Sequence, residues 1–226
     1  VVTSGRNAGG KAYGYRPVAG RAGELEIVEE EAAVVRRIFE AYALGTAPRS
    51  IASRLNAEGI TAPRGAKWNA STINGNKERG HGILMNPIYS GRIIWNRVRM
   101  IKDPSTGKRV SRPNPESEWK TVEAPHLRIV EQDLFDRVQA RKEATGGERG
   151  KKQPRARRVR SGLRRCSACG GGMSMMGHDR SGPRIQCSTY RESGSCSNGA
   201  RYYIQRIEER VIDVLRHQFA DTAIID

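Results

Sequence analysis

Four cysteines are the residues of this chain best suited to chemistry. Cys166 and Cys169 form a C-x2-C knuckle, 17 residues separate Cys169 from Cys187, and 8 separate Cys187 from Cys196. Two short turns at that spacing can present four thiolates to one ion as a tetrahedron, the arrangement of a structural Zn2+ site. Four thiolates close the coordination shell and leave no position for water, so the ion is expected to hold a fold together and not to drive hydrolysis. Two disulfides are the other use of four cysteines. No apolar leader opens the chain and no run approaches the length of a membrane span, which favours metal ligation at an intracellular address. His178 lies within the same stretch but is read as a surface or DNA-facing residue, because four thiolates are already present. His81, His126 and His217 show no ligand spacing.

The charge balance points to a polyanion. Formal net charge is +16 over 226 residues, more than solubility requires. Residues 146–165 alone hold nine Lys/Arg and one acidic residue. Within them Lys151 and Lys152 precede Pro154, and Arg155, Arg157, Arg158 and Arg160 follow it. An extended strand could set these guanidiniums along a narrow, A·T-rich minor groove. Catalytic constellations are missing from the sequence. The acidic residues cluster as Glu29-Glu30-Glu31 and Glu208-Glu209, there is no Walker-type phosphate loop, and no serine sits in a motif that would activate it. The chain alone is not expected to cut DNA.

The elements that would position these groups follow from periodicity. Residues 1–23 are rich in Gly and basic residues and read as an extended arm, with Arg6, Lys11, Tyr15 and Arg16 as candidate DNA contacts. Val28, Ala32, Val35, Ile38, Phe39 and Tyr42 fall on one helical face, predicting a core helix over 28–44 that Gly45 stops. A second helix is predicted from Thr46 or Ala47 to Glu58, with Thr46 as N-cap and Ile51, Ala52 and Leu55 as its buried stripe. Arg64 and Lys67 lie in the connection. A third helix is predicted over 69–79 with Asn69 as N-cap, carrying Ser71, Thr72, Asn74, Asn76, Lys77 and Arg79. A helix, a turn and a polar, basic helix make a helix-turn-helix-like pattern, whose second helix would enter the major groove. Residues 92–98 read as one strand, and the turn at 103–107 with the segment around 119–122 predicts a small antiparallel sheet. A further helix spans about 131–144, and Gly146-Gly147 marks a domain boundary. Ile204, Ile207, Val211, Val214, Leu215 and Phe219 stripe a last helix over 203–219, which would pack on the ribbon or open a coiled coil.

The string Asn86-Pro87-Ile88-Tyr89-Ser90-Gly91 behind these helices, with Gly10-Lys11-Ala12-Tyr13-Gly14-Tyr15 before them, resembles the large serine recombinases, the integrases and transposases of phages and mobile elements. The resemblance runs on through Trp119, through Pro125-His126-Leu127-Arg128-Ile129-Val130 and into the four cysteines, so it covers essentially the whole chain. It implies an α+β fold: a mixed recombinase domain with a helix-turn-helix-like part and a small antiparallel sheet, then a zinc ribbon and a C-terminal helix. The expected divisions are an arm at 1–23, a recombinase domain at 24–145, a basic linker at 146–162 and a zinc ribbon at 163–226. The implied partner is double-stranded DNA, one half of an attachment site, with Zn2+ as structural cofactor and the linker crossing the minor groove. The family's nucleophilic serine belongs to a resolvase-like domain that the chain does not contain, and self-association belongs mostly to that domain. The long coiled-coil insertion of the family's zinc domain is not visible either. Two other readings are a zinc-ribbon DNA- or RNA-binding regulatory module without a recombinase partner, and a zinc-dependent nuclease, which lacks an open coordination position. No membrane or small-molecule partner is expected, and a bacterial or phage-encoded, nucleoid-associated monomer in the cytoplasm is.

Overall fold

The structure is a computed structural model that describes residues 12–146 and 162–220. Chain contacts divide it into two compact units, Val1–Lys152 and Gln153–Asp226. The first unit opens with an antiparallel pair, β1 (Tyr15–Pro17) and β2 (Leu25–Ile27). Helix α1 (Glu29–Ala43) follows and buries Ala32, Val35, Ile38, Phe39 and Tyr42, the 3.6-residue stripe of the sequence. Its first turn carries Glu29, Glu30 and Glu31, where the exposed amide ends of the helix favour negative charge. Helix α2 (Pro48–Ala57) buries Ile51, Ala52 and Leu55. Its N-cap is Ala47 and not Thr46: Pro48 fixes the helical φ of the first turn, where a missing N–H costs nothing.

The third helix departs most from expectation. Helix α3 covers only Ala70–Asn74, and its N-cap Asn69 makes no side-chain cap bond. Gly75, at φ 65°, ends it. The chain then doubles back so that the Asn76 N–H donates to the His81 carbonyl at 2.9 Å. Gly82 (φ 91°) passes so close to Gly75 that a Cβ on it would collide with the Gly75 backbone. Asn76, Lys77 and Arg79 therefore lie on a hairpin-like loop and not on a helix.

Two two-stranded sheets follow. β3 (Arg92–Trp95) ends at Asn96, the one non-glycine described with a positive φ (62°), and β4 (Val98–Lys102) starts a separate ribbon with β5 (Arg109–Pro113). The single strand predicted over 92–98 is thus broken at Asn96, whose amide Nδ2 donates to the Glu118 carbonyl. β6 (Lys120–Glu123) returns to pair with β3, and α4 (Gln132–Gly146) closes the unit against α1.

The core joins segments distant in sequence. Tyr15 stacks on Tyr89 at 5.8 Å, Tyr89 meets Phe39 edge-on at 6.0 Å, and Phe39 stacks on Phe135 at 5.8 Å. Trp68 is wholly buried. Its Nε1 donates to the Ile60 carbonyl, and the Asn56 side chain bonds both its N–H and its carbonyl.

The second unit is a three-stranded antiparallel sheet of β7 (Met173–Asp179), β8 (Gly182–Cys187) and β9 (Arg201–Tyr203). Helix α5 (Ser188–Ser193) bridges β8 to β9, and α6 (Ile204–Ala220) follows β9 directly. Of the apolar stripe on α6 only Ile204 is buried; Val211, Val214, Leu215 and Phe219 are exposed.

Candidate metal centre and nucleic-acid interface

The cysteine centre is assembled by two turns at one end of the three-stranded sheet. The first turn is closed by the Cys166 N–H donating to the Gly171 carbonyl and the Gly170 N–H to the Cys166 carbonyl, both at 2.8 Å. Gly170 takes a φ of 67°, and a side chain on Gly171 would collide with Thr189 Oγ1. Cys187 ends β8, and Cys196 follows α5 past Gly194, which caps that helix in the left-handed conformation. Each cysteine offers one Sγ, and all four lie within 4.8 Å of one another. The Cys166–Cys196 and Cys169–Cys187 sulfurs are 3.8 and 3.5 Å apart. Thiolates at the usual Zn–S length of about 2.3 Å would sit roughly 3.8 Å apart along a tetrahedral edge. The donor set and its spacing therefore fit a tetrahedral four-sulfur ion.

Donors around the sulfurs fit thiolates as well. Asn198 serves two of them: its backbone N–H donates to Cys196 Sγ at 3.3 Å and its Nδ2 to Cys166 Sγ at 3.5 Å. The Tyr190 N–H donates to Cys187 Sγ. The Gly171 N–H and the Thr189 hydroxyl hold the Cys169 thiol down to about 6. Cys196, although it accepts from the Asn198 N–H, is pushed up to about 12 by burial and by the other three sulfurs. Four sulfurs this close cannot all ionise on their own, and a dication would compensate the charge they accumulate. Such an ion would supply crosslinking and not catalysis, because all four positions are protein sulfurs. Asn198 and Thr189 were not picked out from the sequence. The Asn198-Gly199 turn directly behind Cys196 was the available signal.

The candidate DNA contacts are dispersed over the first unit. Arg64, Ser71 and Thr72 line one cleft of about 560 Å³ together with Tyr13, His81 and Asn86. Lys67 and Asn74 are exposed nearby, and Asn74 accepts from Lys142 Nζ through both its backbone and its side-chain oxygen. Asn76 is exposed and turns its Oδ1 to the Arg79 N–H. Lys77 pairs with Glu143 at 2.6 Å, and Arg79 reaches the Ser111 carbonyl at 3.4 Å. Arg16 pairs with Glu26 on the surface. Tyr15 requires a correction: it is 6% exposed, and its hydroxyl donates to the Ile88 and Leu127 carbonyls, which makes it a core residue and removes it from any DNA surface. Arg6, Lys11, Lys151, Lys152, Arg155, Arg157, Arg158 and Arg160 lie outside the described residues.

Comparison with known proteins follows the same division. The family model described as Recombinase matches residues 29–145, and the one described as Recombinase zinc beta ribbon domain matches residues 161–216. A Bacillus subtilis (strain 168) protein named "Putative DNA recombinase" is 31% identical over 181 residues, 73% of this chain and 33% of its own length. The chain thus spans about a third of that curated relative. Two solved structures resemble it. One is titled a crystal structure of an LSR–DNA complex (21% identity, TM-score 0.41, 93% of this chain and 60% of that one). The other concerns the Listeria innocua prophage attP site (20% identity, TM-score 0.37, 94% and 80%). No helix among the described residues is long and apolar enough to cross a membrane. With one family domain on each unit, in order and over more than half its length, the chain belongs to the large serine recombinases, as a segment made of their recombinase domain and zinc β-ribbon.

Proposed function

We propose that the chain is a sequence-specific reader of double-stranded DNA that recognises one half of an attachment site for a serine recombinase. In this reading α3, the loop behind it and the cleft beside it face the major groove. The basic linker 146–162 follows the minor groove, and the zinc ribbon occupies a further stretch of major groove. Zn2+ in the four-cysteine centre is structural. The chain's role is positional: it would bring a resolvase-like catalytic domain of the same longer protein to the crossover point, where a serine links covalently to DNA. Self-association would belong to that domain, and the setting would be the cytoplasm of a bacterium or phage-infected cell.

One observation carries the reading: two recombinase-family domains in tandem on a chain of net charge +16. Polar and cationic groups clustered on α3 and its cleft offer the donors and acceptors that base edges and phosphates require. Selection of bound duplexes from a random DNA library, with zinc present and salt near physiological, tests it. One long, asymmetric motif is the expected result. Binding with no motif, simply falling as salt rises, would reduce the chain to a non-specific polyanion binder.

A further inference from the structure

The β4–β5 ribbon is charged in a way that its own folding does not explain. Residues 97–113 hold Arg97, Arg99, Lys102, Lys108, Arg109 and Arg112 against one acidic residue, Asp103. Asp103 is engaged in the turn, accepting from the Ser105 N–H at 3.0 Å and the Thr106 hydroxyl at 2.9 Å. The register sets Arg99 directly opposite Arg112 and Lys102 directly opposite Arg109. Like charges facing each other across strands are destabilising, and a ribbon charged only to stay solvated would pair opposite signs. Side chains alternate along a strand, so the two basic pairs occupy opposite faces, three residues or roughly 10 Å apart. Between them lie exposed apolar side chains, Met100 at 57% and Ile101 at 38%. None of Arg99, Lys102, Lys108 and Arg109 ion-pairs with a described residue.

The ribbon is also fixed to the surface already assigned to DNA. At its base Arg97 stacks on Trp119, 4.4 Å from the ring centre, and donates to the Lys77 carbonyl at 2.9 Å. Arg79 reaches across to Ser111 on β5. The ribbon and the 76–81 loop are therefore one continuous basic surface.

We infer that the β4–β5 ribbon is a further duplex-DNA contact of the first unit, lying in a groove with one basic pair facing the phosphates of each wall. A two-stranded ribbon fits a major groove about 12 Å wide. Phosphates on both sides relieve both cross-strand repulsions, and the apolar side chains between the pairs are covered. This inference rests on the DNA-binding reading above.

Two double variants of the full, zinc-loaded chain test it, Arg99→Gln/Arg112→Gln for one face and Lys102→Gln/Arg109→Gln for the other. Each is titrated by fluorescence anisotropy against a mixed-sequence duplex over a range of salt. Each pair removed should lower the slope of log K against log salt by about 1.8, two phosphate contacts at roughly 0.9 each. Arg128→Gln/Arg137→Gln, two exposed arginines elsewhere in the unit, should leave the slope unchanged. Thermal unfolding of the ribbon variants should occur no lower than wild type, since a repulsion has been removed. Wild-type binding with unaltered slopes in both ribbon variants would overturn the ribbon while leaving the DNA reading intact. So would an equal fall in the control. A wild type that binds no duplex would overturn both.

Discussion

Asn198 touches the metal centre twice without being a ligand. Its side chain faces two ways: Nδ2 donates to Cys166 Sγ, and Oδ1 accepts from the Ala200 N–H and the Tyr202 hydroxyl. Aspartate would keep the acceptor and the turn but replace the donor with a second anion beside the thiolates. Asn198→Asp should therefore weaken zinc binding by about 10–100-fold, the usual cost of removing a partner that supports a ligand. Chelator competition on the folded protein measures this, and an unchanged affinity would show that the Nδ2 contact is incidental. The cysteine cluster itself was legible, because a C-x2-C knuckle followed by two further cysteines at strand-length spacing is the pattern that brings four sulfurs together. Their supporting shell was not, since an asparagine in a turn looks the same whether it serves the backbone or a sulfur. Tyr15 shows the converse error. A tyrosine in a Gly- and Arg-rich arm looks like a docking residue, and only its burial against Tyr89 reveals that its hydroxyl satisfies two core carbonyls.

Among the elements, α1 and α2 were legible because each carries a 3.6-residue apolar stripe long enough to fix its type. The start of α3 at Asn69 was legible too, but its early end and the β3–β4 break were not. Both are decided by backbone conformation at Gly75, Gly82 and Asn96, and composition does not report φ. The Gly75–Gly82 approach gives a sharp prediction. Gly82 occupies a backbone region (φ 91°, ψ 160°) open essentially to glycine alone, and a Cβ there meets the Gly75 backbone. Gly82→Ala should cost the first unit about 2–5 kcal/mol, combining ~1–2 for the backbone with ~1–3 for the overlap. Gly59→Ala, also at positive φ (71°) but with nothing within 4 Å, should cost only the backbone part. Denaturant unfolding of the two variants separates these contributions, and equal losses would mean that the close approach is not tight. The loop carrying Asn76, Lys77 and Arg79 depends on that approach.

At the scale of the whole molecule the two units are held together by different means. The first has an aromatic and aliphatic core drawn from both of its ends. In the second, the buried apolar residues described are Cys166, Cys187 and Cys196, with Met173 and Tyr190 packed against them, and Ile185 and Ile204, a small core that a bound ion would be needed to reinforce. Chelation should abolish the calorimetric transition of the second unit and leave that of the first at its original temperature. A single transition that moves as a whole on chelation would refute this independence. The units also differ in when they can close as the chain is made. The cysteine centre joins sulfurs 30 residues apart, so it can form soon after Cys196 emerges. Tyr15, by contrast, bonds to carbonyls 73 and 112 residues downstream. At roughly 5–20 residues per second, Tyr15 waits on the order of ten seconds for Leu127 to be synthesised. β1 thus stays unlocked until Leu127 has emerged, leaving the Tyr89 face that Tyr15 covers open, and Phe39 waits longer still, for Phe135 on α4.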